Sequence, residues 1–170
     1  MHFNIHCQID LDTQLGKLYE TLMACGDELN AQILDTLRVK LERQEVTVAC
    51  YGYVSSGKSR LLNVLMKEDH FLPVSPLSSS RNVVYIRPGK SLDIELWPKE
   101  KPCTKGTMPG REQFHALCQD TGIERVELFW ATPEGLSLMD TPGIDSIESG
   151  NQQAVNTALL LADLVIYVTD

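Results

Sequence analysis

Gly52-Tyr53-Val54-Ser55-Ser56-Gly57-Lys58-Ser59 follows directly on the apolar run Val46–Tyr51 and opens the amphipathic stretch Ser59–Met66. No other segment restricts the fold as much. GxxxxGK[ST] between a strand and a helix is the phosphate-loop pattern. Its glycines let the backbone wrap an anion with no β-carbon in the way. Successive amide N–H groups and the start of the helix then point at that anion. The spacing assigns Gly52, Ser55, Ser56, Gly57, Lys58, Ser59 and Arg60 to phosphate binding. Lys58 reaches the β- and γ-phosphates, and the Ser59 hydroxyl is a ligand for Mg²⁺. A plain Gly/Ser turn is the competing reading, and the flanking strand and helix weigh against it.

Around this loop the pattern is that of an α/β protein. Val46–Tyr51, Asn82–Arg87, Leu92–Trp97, Val126–Ala131, Leu136–Met139 and Leu164–Val168 read as strands, and Lys58–Met66, Arg111–Gln119 and Gln152–Ala162 as helices. Alternation of this kind predicts a phosphate-loop NTPase of three layers with a mostly parallel central sheet. Residues 98–110, rich in Pro, Lys and Gly, read as a loop. Before residue 45 the period is helical: Leu11, Leu15, Leu18, Leu22, Cys25, Leu29, Ile33, Leu37 and Leu41 form a narrow apolar stripe. Gly26 is placed to end one helix and Asp27 to cap the next. The two helices either pack on their own domain or belong to a bundle with members outside this chain. The expected division is therefore 1–44, helical, and 45–170, the phosphate-loop domain.

Composition narrows the partners. A net charge of −8 over 170 residues argues against a phosphate-backbone-binding surface, so nucleic acid is not an expected partner. The five cysteines are scattered and form no CxxC pair, which fits reduced thiols better than a disulfide framework or zinc. The first ten residues lack a secretory pattern, and no apolar run reaches bilayer length. The expectation is a soluble, cytoplasmic protein.

A second motif, Leu136-Ser137-Leu138-Met139-Asp140-Thr141-Pro142-Gly143, ends an apolar strand in an aspartate with glycine three positions on. In phosphate-loop proteins that aspartate holds the Mg²⁺ shell, and the glycine amide contacts the γ-phosphate. Ser59 and Asp140 should then converge on one ion, about 4–7 Å apart. Spelled DTPG, the motif points to a GTPase rather than a generic ATPase. A hydroxyl between the two motifs should close over Mg²⁺ and phosphate. Phe71–Arg81 supplies Ser78, Ser79 and Ser80 as candidates.

These residues resemble the dynamin superfamily, and its bacterial dynamin-like branch in particular. The family's loop, commonly GxxSxGKS, is matched by Gly52, Ser55, Gly57, Lys58 and Ser59. Its Leu-Pro pair, switch Thr and Arg-x-Gly strand end are matched by Leu72-Pro73, Ser80 and Arg87-Pro88-Gly89. The stretch Asp140–Asp170 is similar to the second switch and fourth core strand. The resemblance covers residues 45–90 and 136–170. It implies hydrolysis of GTP to GDP and phosphate, with Lys58, Ser55 and Ser80 catalytic and Ser59, Ser80 and Asp140 around Mg²⁺. It also implies pairing as a homodimer or homo-oligomer through the GTPase domain, and peripheral membrane association through regions beyond residue 170.

Three departures matter. Ser80 lacks the methyl of the family's Thr, Val54 stands where fast members carry Gln, and Ile144 cannot orient water. No [NT]KxD guanine-reading motif occurs in the chain, so the domain is expected to be truncated after its fourth core strand. An Era-type ribosome- or RNA-associated GTPase, and a nucleotide-binding interaction module with little turnover, are the alternatives. His2, His6 and Cys7 are read as incidental to any metal site. His70 and His115 have no carboxylate at catalytic spacing. Arg81 is placed for phosphate or for a facing protomer, with a solvated side chain equally open.

Overall fold

The computed structural model describes residues 5–69, 71–74, 82–144 and 152–169, with the side chains of 5–10 and 152–154 excepted. It divides into two compact units, the first ending at Glu45 and the second beginning at Val46.

The first unit is a helical hairpin of α1 (Ile5–Ala24) and α2 (Glu28–Arg43). Gly26 closes α1: its N–H and that of Asp27 donate to Met23 O and Leu22 O. Asp27 caps α2 by accepting from the Asn30 backbone N–H at 3.3 Å, as its position after glycine predicts. Much of the apolar stripe is exposed, including Leu11, Leu18, Leu29, Leu37 and Leu41.

In the second unit the described strands form one seven-stranded sheet. In chain order they are β1 (Val46–Gly52), β2 (Val83–Pro88), β3 (Asp93–Pro98), β4 (Thr104–Thr107), β5 (Ile123–Trp130), β6 (Leu136–Asp140) and β7 (Leu164–Val168). Across the sheet the order is β4-β3-β5-β2-β6-β1-β7. The three strands at the phosphate loop, β6-β1-β7, are parallel, and so are β2 and β5. The β2–β6, β3–β5 and β3–β4 pairings are antiparallel. Helices α3 (Lys58–Leu65), α4 (Arg111–Gln119) and α5 (Gln152–Leu160) complete the unit.

Apolar side chains cover both faces, which makes three layers. Cys50, Val84, Ile86, Val126, Leu128 and Leu138 meet Leu62 of α3 and Phe114 and Cys118 of α4 on one side. Ala49, Val83, Tyr85 and Met139 meet Val155 and Ala158 of α5 on the other. This is the phosphate-loop architecture that the strand–helix alternation predicts.

One expectation fails. The 98–110 stretch is not all loop, because Thr104–Thr107 pairs antiparallel with β3. All four residues are exposed, and their sequence TKGT has no apolar alternation. The strand exists because the edge of β3 offers unpaired backbone groups, a long-range cause that local sequence does not carry. At the opposite edge, β7 pairs only with β1 among the described strands and leaves Leu164, Val165 and Tyr167 about half exposed.

Candidate phosphate and metal site

The loop between β1 and α3 is held by backbone geometry. Gly52 lies so near Val168 O of β7 that a side chain there would collide with it. Ser55 takes a left-handed conformation, φ 64°, uncommon outside glycine. Gly57 is the N-cap of α3, with no side chain capping the helix. The first bond of the helix runs from Leu61 N–H to Gly57 O at 2.8 Å. The amides of Lys58, Ser59 and Arg60 are therefore left without intrahelical acceptors at the positive end of the helix, a ready anion cradle.

Lys58, although only 6% exposed, has no carboxylate partner at salt-bridge distance among the described residues. Its Nζ donates to Gly52 O at 3.0 Å and Tyr53 O at 2.6 Å, two carbonyls of its own loop. Burial lowers its pKa, while the nearby Asp140 carboxylate raises it. An ammonium held only by backbone carbonyls is ready to exchange them for a stronger anionic acceptor.

Asp140 is fully buried at the end of β6, its Cα paired with that of Cys50 on β1. Ser59 Oγ donates to Asp140 Oδ2 at 2.8 Å. The two groups that the motifs bring together across 81 residues of chain thus meet directly. They are closer than the 4–7 Å expected of ligands flanking an ion, because hydroxyl and carboxylate satisfy each other. The Asp140 carboxylate also offsets part of the desolvation of Lys58. Burial drives the Cys50 thiol itself up to about 11, so it is a neutral, unreactive neighbour. Thr141 Oγ1 donates to Cys50 O at 2.7 Å and pins the second motif to the loop strand.

Gly143 completes the arrangement. A β-carbon there would fall 2.5 Å from Val54 Cγ2 and 2.7 Å from Val54 N, so the third position after Asp140 admits only glycine. Val54 is therefore a second point, besides Ser59 and Asp140, at which the two motifs touch. Sequence reasoning singled out Val54 only as a missing glutamine.

The donor set suits Mg²⁺: a serine hydroxyl and a buried carboxylate, both hard oxygens, converge at the foot of the anion cradle. Among the described residues no group of three or more His, Cys, Asp or Glu could hold a metal alone. Such a site is completed by substrate phosphates and water, which is how Mg²⁺ is usually bound.

Other assigned residues stand apart from this cluster. The Arg60 side chain is exposed and lines an open cavity of about 360 Å³ with Asn63, Val64, Glu68, Asp69 and Val74. Only its backbone amide belongs to the cradle. Ser56 is brought to the loop, its Oγ buried and without a hydrogen-bond partner. Ser78, Ser79, Ser80, Arg81 and His70 lie outside the described residues, as do the side chains of His6 and Cys7. His115, unassigned from sequence, binds Phe71 O through Nε2 at 3.1 Å. Trp130 packs on Phe71 with ring centres 4.7 Å apart, part of the core.

Comparisons with known proteins agree with these features. The model of the Dynamin family matches residues 48–170. Dynamin-like protein A of Bacillus subtilis is 35% identical over 159 residues, 90% of this chain and 13% of that protein. Dynamin-like protein 1 of Campylobacter jejuni is 35% identical over 190 residues, 86% of this chain and 26% of that protein. The chain thus spans about a quarter or less of the length of these relatives. Two solved chains of an oligomerised bacterial dynamin pair, described as a mechanism for long-range sensing and tethering of membranes, share the fold. Each superposes with a TM-score of 0.56, at 19% and 20% identity, covering 98% and 94% of this chain and 34% and 27% of theirs. With its phosphate loop, its DTPG motif and a family match over residues 48–170, the chain belongs to the dynamin family.

Proposed function

We propose that this chain carries the phosphate- and Mg²⁺-binding part of a dynamin-like GTPase. The observation that carries the reading is the direct meeting of Ser59 and Asp140 at 2.8 Å, beneath a loop whose lysine is bonded only to its own carbonyls. On binding GTP, Lys58 would leave Gly52 O and Tyr53 O for the β- and γ-phosphates. The amides of Lys58, Ser59 and Arg60 would receive the phosphate oxygens, with Ser55 and Ser56 shaping the loop around them. Ser59 and Asp140 would hold Mg²⁺, with Ser80 as the further ligand from the intervening segment. Held by these residues, Mg²⁺ would supply positive charge to offset the charge that develops on the γ-phosphate. Water adds to the γ-phosphorus, the bond to the bridging oxygen breaks, and GDP and inorganic phosphate leave. The Gly143 amide would then report the loss of that phosphate.

Around this centre we place the family's wider behaviour: GTPase-domain pairing as a homodimer or homo-oligomer, and peripheral association of a cytoplasmic protein with a membrane. The oligomerised, membrane-tethering dynamin pair and the exposed apolar stripe on α1 and α2 support it. No described helix is long and apolar enough to cross a bilayer. A second reading, a nucleotide-binding module with little turnover, draws on Val54, an apolar side chain facing Gly143 where a water-orienting group would stand. Phosphate release from Mg²⁺–GTP and Mg²⁺–ATP by the full-length protein tests these readings. Turnover of GTP above ATP supports the hydrolase. Tight GTP binding without release supports the module, and binding of neither nucleotide removes both.

A further inference from the structure

The chain on either side of residues 75–81 is fastened to a single helix. At the N-terminal half of α4, Arg111 Nη2 donates to Asp69 O at 3.2 Å and His115 Nε2 meets Phe71 O at 3.1 Å. A carbonyl can only accept, so His115 must carry its proton on Nε2. Arg111 and His115 are four residues apart and so share one helix face. The Phe71 ring lies against Phe114 of the same helix, centre to centre 5.4 Å, and against Trp130. At the other end of α4, the fully buried Asn82 donates its backbone N–H to Cys118 O at 3.3 Å. Its side-chain amide donates to Leu117 O at 3.0 Å and Asp120 O at 2.9 Å. These are carbonyls at a helix C-terminus; Leu117 O and Asp120 O also accept from the backbone N–H groups of Asp120 and Ile123, so the asparagine adds a second bond to each.

A third fastening reaches the phosphate loop. Asn63 is buried on α3 one turn beyond Ser59, hence on the same face. Its amide forms a two-way clamp with the backbone of Leu72: Nδ2 to Leu72 O at 3.1 Å, and Leu72 N–H to Oδ1 at 2.7 Å. Plain core packing would need only the apolar contacts of Phe71 and Leu72. Directional bonds to Asp69 O, Phe71 O and Leu72 fix the path and rotation of the backbone as well.

We propose that α4 is a frame that sets where the chain enters and leaves the 75–81 stretch. His115 and Asn82 are its positioning residues for the Mg²⁺-dependent step, and Asn63 carries the register to Ser59. This rests on the GTPase reading for its kinetic consequence, though not for its mechanical one. GDP needs the loop and α3, whereas the γ-phosphate and the hydrolytic step also need the serines of the framed stretch.

The test uses His115→Ala, Asn82→Ala and the donor-preserving His115→Gln in the full-length protein. His115→Ala and Asn82→Ala should lower kcat for Mg²⁺–GTP about tenfold while GDP affinity stays within about twofold, as expected of lost positioning. His115→Gln should recover most of the rate, which a general loss of stability would not allow. In nucleotide-free protein, amide exchange should rise at Leu72 and Val74 in His115→Ala and at 83–84 in Asn82→Ala, but not at 58–61. Equal losses of GDP and GTP affinity, or unchanged exchange at both ends, would overturn the frame. A wild type that binds no nucleotide would remove the GTPase reading alone, and the exchange pattern would then decide the frame. If Asn82→Ala does not fold, the two His115 variants and the exposed Arg111→Ala carry the same decision.

Discussion

The two halves of the sheet bury charge in opposite ways. Toward the β4 edge, buried charges are spent on each other. Glu127, only 2% exposed, lies 2.7 Å from Arg87 and 3.3 Å from Arg125. The Arg125 guanidinium stacks 4.0 Å from the Trp97 ring, and Glu95 pairs with Lys105 at 2.6 Å. On the β6-β1-β7 side, Lys58 is held by carbonyls and Asp140 by a hydroxyl, partners that a phosphate or a metal ion can replace. Buried charge by itself therefore does not mark a site. What distinguishes the site is buried charge with exchangeable partners beside a glycine-bounded loop.

Breaking each half should give separable results. Glu127→Ala leaves two guanidiniums without their shared carboxylate and should cost about 3–5 kcal/mol of stability in a denaturant titration. The affinity for nucleotide of the remaining folded protein should be unchanged. If affinity fell in step, the outer ladder would belong to the site. Lys58→Ala should do the reverse, with at least about a hundredfold loss of GTP affinity by calorimetry, or roughly 3 kcal/mol. Its unfolding midpoint should stay close to wild type, since the side chain contributes little apolar packing.

Gly143→Ala forces a methyl onto Val54 and should push the second motif off the loop. About tenfold loss of preference for GTP over GDP is expected, with GDP binding largely kept. Equal loss for both nucleotides would mean that Gly143 serves the fold and not the sensing of the third phosphate. The smallest effect concerns Lys105, whose exposed ammonium is hydrogen-bonded to Glu95 and titrates above the ordinary lysine range. That pair contributes below the unfolded lysine pKa and is lost as pH rises through the raised folded value. Because the ammonium is exposed, Lys105→Ala should lower the unfolding midpoint only slightly near neutral pH, and that small difference should vanish as pH rises through the raised folded value.

Legibility in the sequence followed the same division. The loop, Asp140 and Gly143 were readable because their chemistry fixes residue type at fixed local spacing. Strand and helix positions near them were readable because apolar runs and helical periods were uninterrupted. Thr104–Thr107 was not, since a short polar strand is created by its neighbour's edge. The ladder of Glu127, Arg87 and Arg125 was hidden too, because its members come together through the β2–β5 register. Asn63, Asn82 and His115 looked ordinary in sequence, because their partners are backbone groups 9 to 44 residues away. The division of the phosphate loop from the helices before it was visible as a change of period at residue 45.

The central claim is that Ser59 and Asp140 form one metal-dependent unit with the phosphate loop. Its most direct test is the Mg²⁺ dependence of GTP affinity in wild type, Ser59→Ala, Asp140→Asn and the double variant. Wild type should bind GTP at least about tenfold more tightly with Mg²⁺ than with EDTA, a gain of roughly 1.4 kcal/mol or more. Each single substitution should remove most of that gain, and the double variant should lose no more than either one, as residues sharing one ligand must. Undiminished Mg²⁺ enhancement in Asp140→Asn, or losses that simply add, would contradict the account.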